Sequence, residues 1–424
     1  MLSAISRYGA RWVPDADAIV DACASRGQMV EGPAIAAFES ALAERMGGGR
    51  AITASYGRMA FYYILKALDL PPGAEIVFPA LTFWVVPAMA RAAGLRPVFA
   101  DVDPITFNLD PASLERAITP ATRAVVPTHI YGLPCDMDEV LAIARRHHLA
   151  VIEDCAHALG ATYHGRPVGT LGDAALLSFQ VLKPLNTFGG GAAYTRHDGL
   201  GRRIAEIASA APCPPVARIR KRIRTARVER ALMRPEVFSA TVFPILWAAS
   251  FVRARPDVTL WEKVRPLWPL PPGYAERYSN VQASIGLSAL DHLDEWTART
   301  RAHARQLSLA LSHLEGIALP ADPADRVHVY YQYCVYPADR EGVVRRCLRG
   351  GLDVEYHHMD VCPDLPLFAG SPAEAAGARR TCDALQVPVH AGLRPGDLER
   401  VARRFSRAVA PPALRHAAHA GSHG

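Results

Sequence analysis

The residue whose type and setting could do the most chemistry is Lys183. The chain has 424 residues and 47 lysines and arginines, of which only Lys66, Lys183, Lys221 and Lys263 are lysines. Only Lys183 follows an apolar run, Ala174 to Phe179, and precedes a glycine-rich turn, Phe188-Gly-Gly-Gly191. A primary amine condenses with an aldehyde to give an imine; a guanidinium does not under ordinary conditions. The second candidate is Asp154, which ends the apolar stretch Leu149-Ala-Val-Ile-Glu153 and needs a partner if buried there. The third is Ser55-Tyr-Gly-Arg58, a turn between a short strand and a helix. Free N–H groups at such a helix start can hold a phosphate, and Gly57 lets the backbone come close. Taken singly, each has an ordinary reading: a surface lysine in a loop, a carboxylate held by an arginine or a helix end, a plain strand–helix turn.

The elements around them supply the positioning. Apolar strands are expected at 50–54, 75–78, 97–100, 123–126, 149–153, 174–179 and 192–195. Helices are expected between them at 59–68, 85–93, 113–118 and 137–147. This alternation predicts an α/β fold with a mostly parallel sheet covered on both faces. Ligands of open α/β sheets bind at the carboxyl ends of strands, and that rule selects the same three places. A lysine to hold an aldehyde, a carboxylate to keep a pyridine nitrogen protonated and a phosphate cup together suit pyridoxal 5'-phosphate.

Composition narrows the class. Half the residues are hydrophobic, enough for a large core and a second, smaller domain. A net charge of +6 is modest for this length and gives no reason to expect a nucleic-acid partner. The eight cysteines, Cys23, Cys135, Cys155, Cys213, Cys334, Cys347, Cys362 and Cys382, form no Cys-x-x-Cys pair. Reduced thiols in a cytoplasmic protein are expected, with neither a disulfide frame nor a metal site. The first residues show no signal peptide. Much of the charge sits in residues 218–230, where Arg218, Arg220, Lys221, Arg222, Arg224, Arg227 and Arg230 cluster. Val237 to Val252 follows, nearly all apolar, but too short to span a bilayer and interrupted by Pro244. Two readings compete for 218–252: a helical cap on a partner subunit with a solvated basic face, or a peripheral membrane surface for a lipid-linked or polyanionic substrate. A long helix is expected over 280–314. Beyond it strands at 327–336 and 352–356 and helices at 340–349 and 395–409 read as a smaller α/β domain. His357, His358 and His390 lack metal-ligand spacing and read as satisfied or solvent-facing histidines, with contact near a substrate mouth as the alternative.

At this point the residues resemble a family, the DegT/StrS sugar aminotransferases, over about three-quarters of the chain. The resemblance rests on Glu75-Ile-Val-Phe-Pro-Ala-Leu-Thr-Phe83, Val151-Ile-Glu-Asp-Cys-Ala-His-Ala-Leu-Gly160, Gly169-Thr-Leu-Gly-Asp173 and Arg277-Tyr-Ser-Asn-Val-Gln-Ala-Ser-Ile-Gly286. It implies a fold-type-I pyridoxal phosphate transferase, with a large mostly parallel-sheet domain and a smaller C-terminal α/β domain. The organisation expected is an arm at 1–33, a cofactor domain at 34–200 and 273–315, a family-atypical excursion at 201–272, a small domain at 316–410 and a disordered tail at 411–424. Carried over residue by residue, Lys183 matches the Schiff-base lysine and Asp154 the pyridine-nitrogen partner. His157 matches the ring-hydroxyl contact and Phe83 the stacking aromatic. Gly57, Arg58 and Ser178 match the phosphate cup. Arg277 matches a contact from the neighbouring subunit of a homodimer whose active site lies at the interface. Arg58 stands where the family has a small residue, and Ala275 where an asparagine often reaches the phosphate. The activity implied is transfer of an amino group from an amino acid, glutamate by analogy, to a nucleotide-linked keto sugar or a cyclitol. Elimination on a sugar, or a non-catalytic cofactor- or sugar-binding regulatory role, are the alternatives.

Overall fold

We analysed a computed structural model, described here over residues 4–9, 11–251, 263–356 and 359–410. The expected alternation forms one seven-stranded sheet. Its strands are β1 (Arg50–Ala54), β2 (Glu75–Pro79), β3 (Arg96–Ala100), β4 (Thr122–Val125), β5 (Ala150–Asp154), β6 (Ala174–Ser178) and β7 (Gly191–Thr195). They lie in the order β1-β7-β6-β5-β4-β2-β3. The neighbours β3, β2, β4, β5 and β6 pair in parallel, while β7 runs antiparallel to both β6 and β1.

Successive side chains of a strand face opposite ways, so an all-apolar strand feeds two cores. Along β2, Ile76 and Phe78 enter the cluster with Phe61 and Phe99, whereas Val77 joins Val98, Val125 and Val151 on the other face. Helices α1 (Ala16–Ser25) and α2 (Ala34–Arg45) precede the sheet. Then come α3 (Gly57–Leu68), α4 (Val85–Ala92), α5 (Pro111–Ala117), α6 (Met137–Arg146) and α7 (Asp198–Ser209). Helix α7 packs on α3 and β1, so the chain stays on the main core past residue 200.

The excursion continues as α8 (Val216–Met233), α9 (Pro235–Ala240) and α10 (Val242–Ala249). Helix α8 buries Ile219, Ile223 and Ala226 in the core that holds Phe179 and Tyr278, and so packs on its own subunit. Helix α11 (Asn280–Leu311) spans the body and lies along α2, where Gly286 leaves no room for a Cβ beside the Phe38 ring.

The C-terminal part carries an antiparallel sheet of β8 (Ile317–Ala318), β9 (Tyr333–Pro337), β10 (Glu355–Tyr356) and β11 (Leu385–Val387), in the order β8-β9-β11-β10. Helices α12 (Arg340–Arg349), α13 (Ala376–Thr381) and α14 (Asp397–Val409) accompany it. The strand expected at 327–336 is broken in two. Arg326–Val327 pairs with Thr162–Tyr163, and β9 begins only at Tyr333. Between them the backbone turns through Tyr330 at φ 48°, and that turn delivers Tyr331 to the sheet edge. The strand expected at 352–356 shrinks to two residues. Before it, the N-terminal arm takes over the pairing: Ile5 bridges Leu352, and Arg7 lies 3.4 Å from Asp353 and 3.3 Å from Glu355. No described helix is long and apolar enough to cross a membrane. His357, His358, Val252 and the expected tail at 411–424 lie outside the described residues.

Candidate active site

A cleft of about 590 Å³ opens at the carboxyl edge of the sheet. Gly57, Arg58, Phe83, Asp154, His157, Ser178 and Lys183 all line it. Seven of the eight residues singled out by sequence thus meet in one place. Arg277 does not come to the cleft of its own chain. It is part-exposed, with its guanidinium 3.7 Å from the Cys213 sulfur and 3.8 Å from Glu31.

Asp154 ends β5 and is 3% exposed. Burial raises its carboxyl above the usual range, while the Ala156 N–H, Lys183 and His129 pull it back. The Ala156 N–H donates to it at 3.0 Å. Beneath it, Glu153 points the other way along the strand. Its carboxylate accepts the N–H groups of Gly169, Leu171 and Gly172, each at 2.7 Å, and lies 3.0 Å from His129 Nε2. His129, Glu153 and Cys155 cluster closely enough to suggest a metal, but these bonds already occupy both carboxylate oxygens, and the group braces the strand end instead.

Lys183 follows β6 in the loop before β7. Removal from water pushes its ammonium down to about 8. Asp154 pulls the other way, and the positive charge of Arg58 adds to the depression. The amine donates to the Tyr331 hydroxyl at 3.5 Å and sits 4.7 Å from that ring's centre. Tyr331 stacks on the His157 ring at 4.2 Å. The Tyr131 N–H donates to His157 Nδ1 at 3.3 Å, which fixes the ring from behind.

The other end of the cleft is built for an anion. Helix α3 starts at Gly57, and no side chain caps it. Uncapped N–H groups at a helix start favour negative charge. A Cβ on Gly57 would lie 2.9 Å from the Leu177 carbonyl and 3.1 Å from Ser178 Cβ, so only glycine allows this approach. Arg58 does not point away. Its guanidinium donates to the Tyr274 hydroxyl at 2.5 Å and lies 5.3–5.7 Å from the ring centres of Tyr274, Tyr56 and Phe83. Arg222, from α8, donates to the Tyr56 hydroxyl at 3.0 Å. The basic run thus turns one of its members inward, and Arg218, Arg227 and Arg230 pair with Glu276 and Asp17. Next to Ala275, the Tyr274 carbonyl accepts a bond from Ser55. A reactive amine, a buried carboxylate, an aromatic wall and an uncapped helix start fit pyridoxal phosphate in size and chemistry.

Tyr331, Tyr274 and Arg222 were missed by sequence reasoning. Tyr331 lies 148 residues from the lysine it contacts. Arg222 is hidden among six other basic residues.

Comparison with known proteins agrees with this geometry. The family model described as DegT/DnrJ/EryC1/StrS aminotransferase matches residues 13–406. GDP-perosamine synthase of Caulobacter vibrioides is 32% identical over 378 residues, which span 87% of this chain and 88% of that protein. UDP-2-acetamido-2-deoxy-3-oxo-D-glucuronate aminotransferase of Pseudomonas aeruginosa is 28% identical over 376 residues, covering 88% and 90%. Among solved structures, S. venezuelae DesV in complex with a ketimine intermediate superposes with a TM-score of 0.74 at 26% identity, over 94% of this chain and 95% of that one. The chain therefore belongs to the DegT/DnrJ/EryC1/StrS aminotransferase family and is a pyridoxal phosphate-dependent aminotransferase of the fold-type-I class.

Proposed function

We propose that the protein moves an amino group from an amino acid, L-glutamate, to the ketone of a nucleotide-linked sugar, with Lys183 as the proton-transfer residue. The observation that carries this reading is the Lys183 amine, depressed to about 8 and facing Asp154 across one cleft. The names of the two sugar-modifying relatives support a nucleotide-linked acceptor.

Bound pyridoxal phosphate supplies the aldehyde that carries nitrogen and the ring that draws electrons from the reacting carbon. Asp154 holds a proton on the ring nitrogen. Its burial suits that task, because a carboxylate shielded from water bonds most strongly to a cation. His157, kept in place between Tyr131 and Tyr331, meets the ring hydroxyl. Phe83 covers a ring face. Gly57, Arg58 and Ser178 hold the phosphate. Lys183, once free, would remove the proton from the donor's α-carbon and deliver it to the carbon on the far side of the transferring nitrogen. In the second half-reaction it runs the same transfer backwards. One water supplies the oxygen with which the donor would leave as a keto acid, and the ketone oxygen of the acceptor would leave as water, so the exchange balances.

A homodimer completes the proposal, with Arg277 turned towards the partner. Peripheral membrane contact through 218–252 belongs to it as well. Ile245, Trp247 and Phe251 are 70%, 41% and 54% exposed, Arg220 and Arg224 of α8 are exposed as well, and this supports the contact.

The test is an absorbance spectrum of the protein with pyridoxal phosphate, before and after L-glutamate. The expected result is a visible band that glutamate converts to a near-ultraviolet one and that Lys183→Ala lacks. A band that no amino acid discharges would remove amino transfer from consideration.

A further inference from the structure

A second cavity, of about 500 Å³, lies behind the Lys183 segment. Leu182, Pro184 and Tyr331 wall it on the side of the active site. The N-terminal arm and the C-terminal part close it with Arg11, Gln386 and His390. We propose that this cavity takes the side-chain carboxylate of a dicarboxylic amino donor, with Arg11 as its cation. The inference rests on the amino-transfer reading and names the subsite for its donor.

Arg11 is the reason. Its guanidinium donates to the Pro184 carbonyl at 3.0 Å, to Thr297 Oγ1 at 3.4 Å and to Thr300 Oγ1 at 3.5 Å. None of these partners is a carboxylate. Its neighbour in the arm, Arg7, is held by both Asp353 and Glu355. Arg11 is part-buried; a guanidinium partly withdrawn from water without a counter-charge is costly, and an anion brought by a ligand relieves that cost. The same burial pushes Arg11 down to about 10, and no carboxylate opposes the shift.

The remaining groups fit an anion with polar neighbours. Gln386 is 5% exposed, and its Oε1 has no hydrogen-bond partner. Turned over, the same amide offers its NH2 to a carboxylate. His390 directs Nε2 to the Ser6 carbonyl at 3.2 Å, and its Nδ1 is buried without a partner. Burial pushes that imidazole down to about 4, so it is neutral near pH 7 and adds no charge of its own.

Position decides which carboxylate. An α-carboxylate sits on the reacting carbon and must stay beside Lys183 Nζ. Lys183 does not line the cavity, but Tyr331 does, and the Tyr331 hydroxyl is 3.5 Å from that amine. The group it receives is therefore several bonds removed from the reacting carbon, as a glutamate side chain is.

The test uses the full chain loaded with pyridoxal phosphate and follows discharge of its visible band by L-glutamate, L-glutamine and L-alanine. Wild type should prefer glutamate. Arg11→Gln should raise the glutamate concentration for half-maximal rate by about 10–100-fold, the weight of a hydrogen-bonded charge, and leave alanine unchanged. Glutarate, which has no amino group, should bind wild type in a calorimetric titration and fail to bind the variant. Gln386→Leu, which does not touch the Lys183 segment, should weaken glutarate and glutamate together by a smaller factor.

Equal slowing of all three donors in Arg11→Gln would show that Arg11 only braces Pro184 and would overturn the proposal. A wild-type preference for glutamine or alanine would overturn it too. Absence of the visible band altogether would sink the amino-transfer reading, whereas an intact band without glutarate binding would sink this inference alone.

Discussion

The cleft has two kinds of wall. One is the carboxyl edge of the sheet, where Asp154 and Ser178 end adjacent strands and Lys183 follows a few residues later. The other stands behind the lining side chains and bonds to them from remote segments: Tyr331 from the turn before β9, Arg222 from α8 and Tyr274 from the loop before α11. The first wall is fixed by the backbone ladder and faces the reacting atoms. The second is held by side-chain bonds and stacking, and it sets the environment of the first. Changes to the first wall should therefore strike turnover, and changes to the second should strike pH dependence, affinity and reach.

The largest effect tests that division directly. Lys183→Ala should lower turnover by at least about 10³-fold, since it removes the residue proposed to move the proton. Steady-state rates with glutamate as donor would check it. Asp154→Asn should cost about 10–100-fold in kcat through loss of a charge-assisted bond. It should also shift a pH profile. Asp154 raises the Lys183 ammonium, so its removal lets that group titrate below about 8 and moves the alkaline activation to lower pH.

In wild type, the rate at which the apoprotein captures pyridoxal phosphate should rise with pH and level off above about 8, because only the neutral amine attacks. Stopped-flow absorbance would measure the midpoint. Arg58→Ala should move it upwards, because Arg58 depresses the Lys183 ammonium. The same variant should weaken binding of the phosphate cofactor more than of pyridoxal, which has no phosphate.

Tyr331→Phe removes one long hydrogen bond, and it should cost only about 2–10-fold. A loss as large as that of Lys183→Ala would erase the distinction between the two walls. The smallest effect is expected furthest away. Replacing Ile245 and Trp247 by serine should leave turnover on a soluble acceptor unchanged and reduce co-sedimentation with anionic vesicles. Equal co-sedimentation would remove the membrane reading of 218–252.

The two walls also differ in how much the sequence discloses. Strand ends are legible because an apolar run followed by a polar residue marks both an element and its edge. Lys183, Asp154 and Gly57 each have an ordinary reading taken singly, and their shared place at strand ends is what selects them from the sequence. The periodicity that predicts the main sheet works for the same reason, since Ile76, Val77 and Phe78 need apolar surroundings on both faces. Where the chain breaks its own pattern, the reading fails. The stretch 327–336 looks like one strand because Val327, Val329, Tyr331, Tyr333 and Val335 alternate correctly. The break arises from pairing with the Thr162–Tyr163 hairpin, a partner that local spacing does not reveal. Arg222 resembles six neighbouring basic residues, and only the burial of Ile219 and Ile223 fixes which way it faces. The direction of Arg58 has the same limit, being set by the Tyr274 hydroxyl more than two hundred residues away.

The N-terminal arm has a consequence for how the enzyme comes into being. Arg7 is held by Asp353, whose carboxylate also takes the Arg7 N–H from 346 residues further along, and Ile5 bridges Leu352. Synthesis runs from the amino end, so the arm leaves the ribosome long before Leu352 and Asp353 and must wait for them. The sheet carrying Lys183 and Asp154 can form while the arm still waits. Arg11, four residues further on, bonds the Pro184 carbonyl beside Lys183 together with Thr297 and Thr300, so one arm ties the C-terminal sheet to the lysine segment. Full docking of the arm therefore waits on completion of the C-terminal sheet rather than of the sheet that carries Asp154.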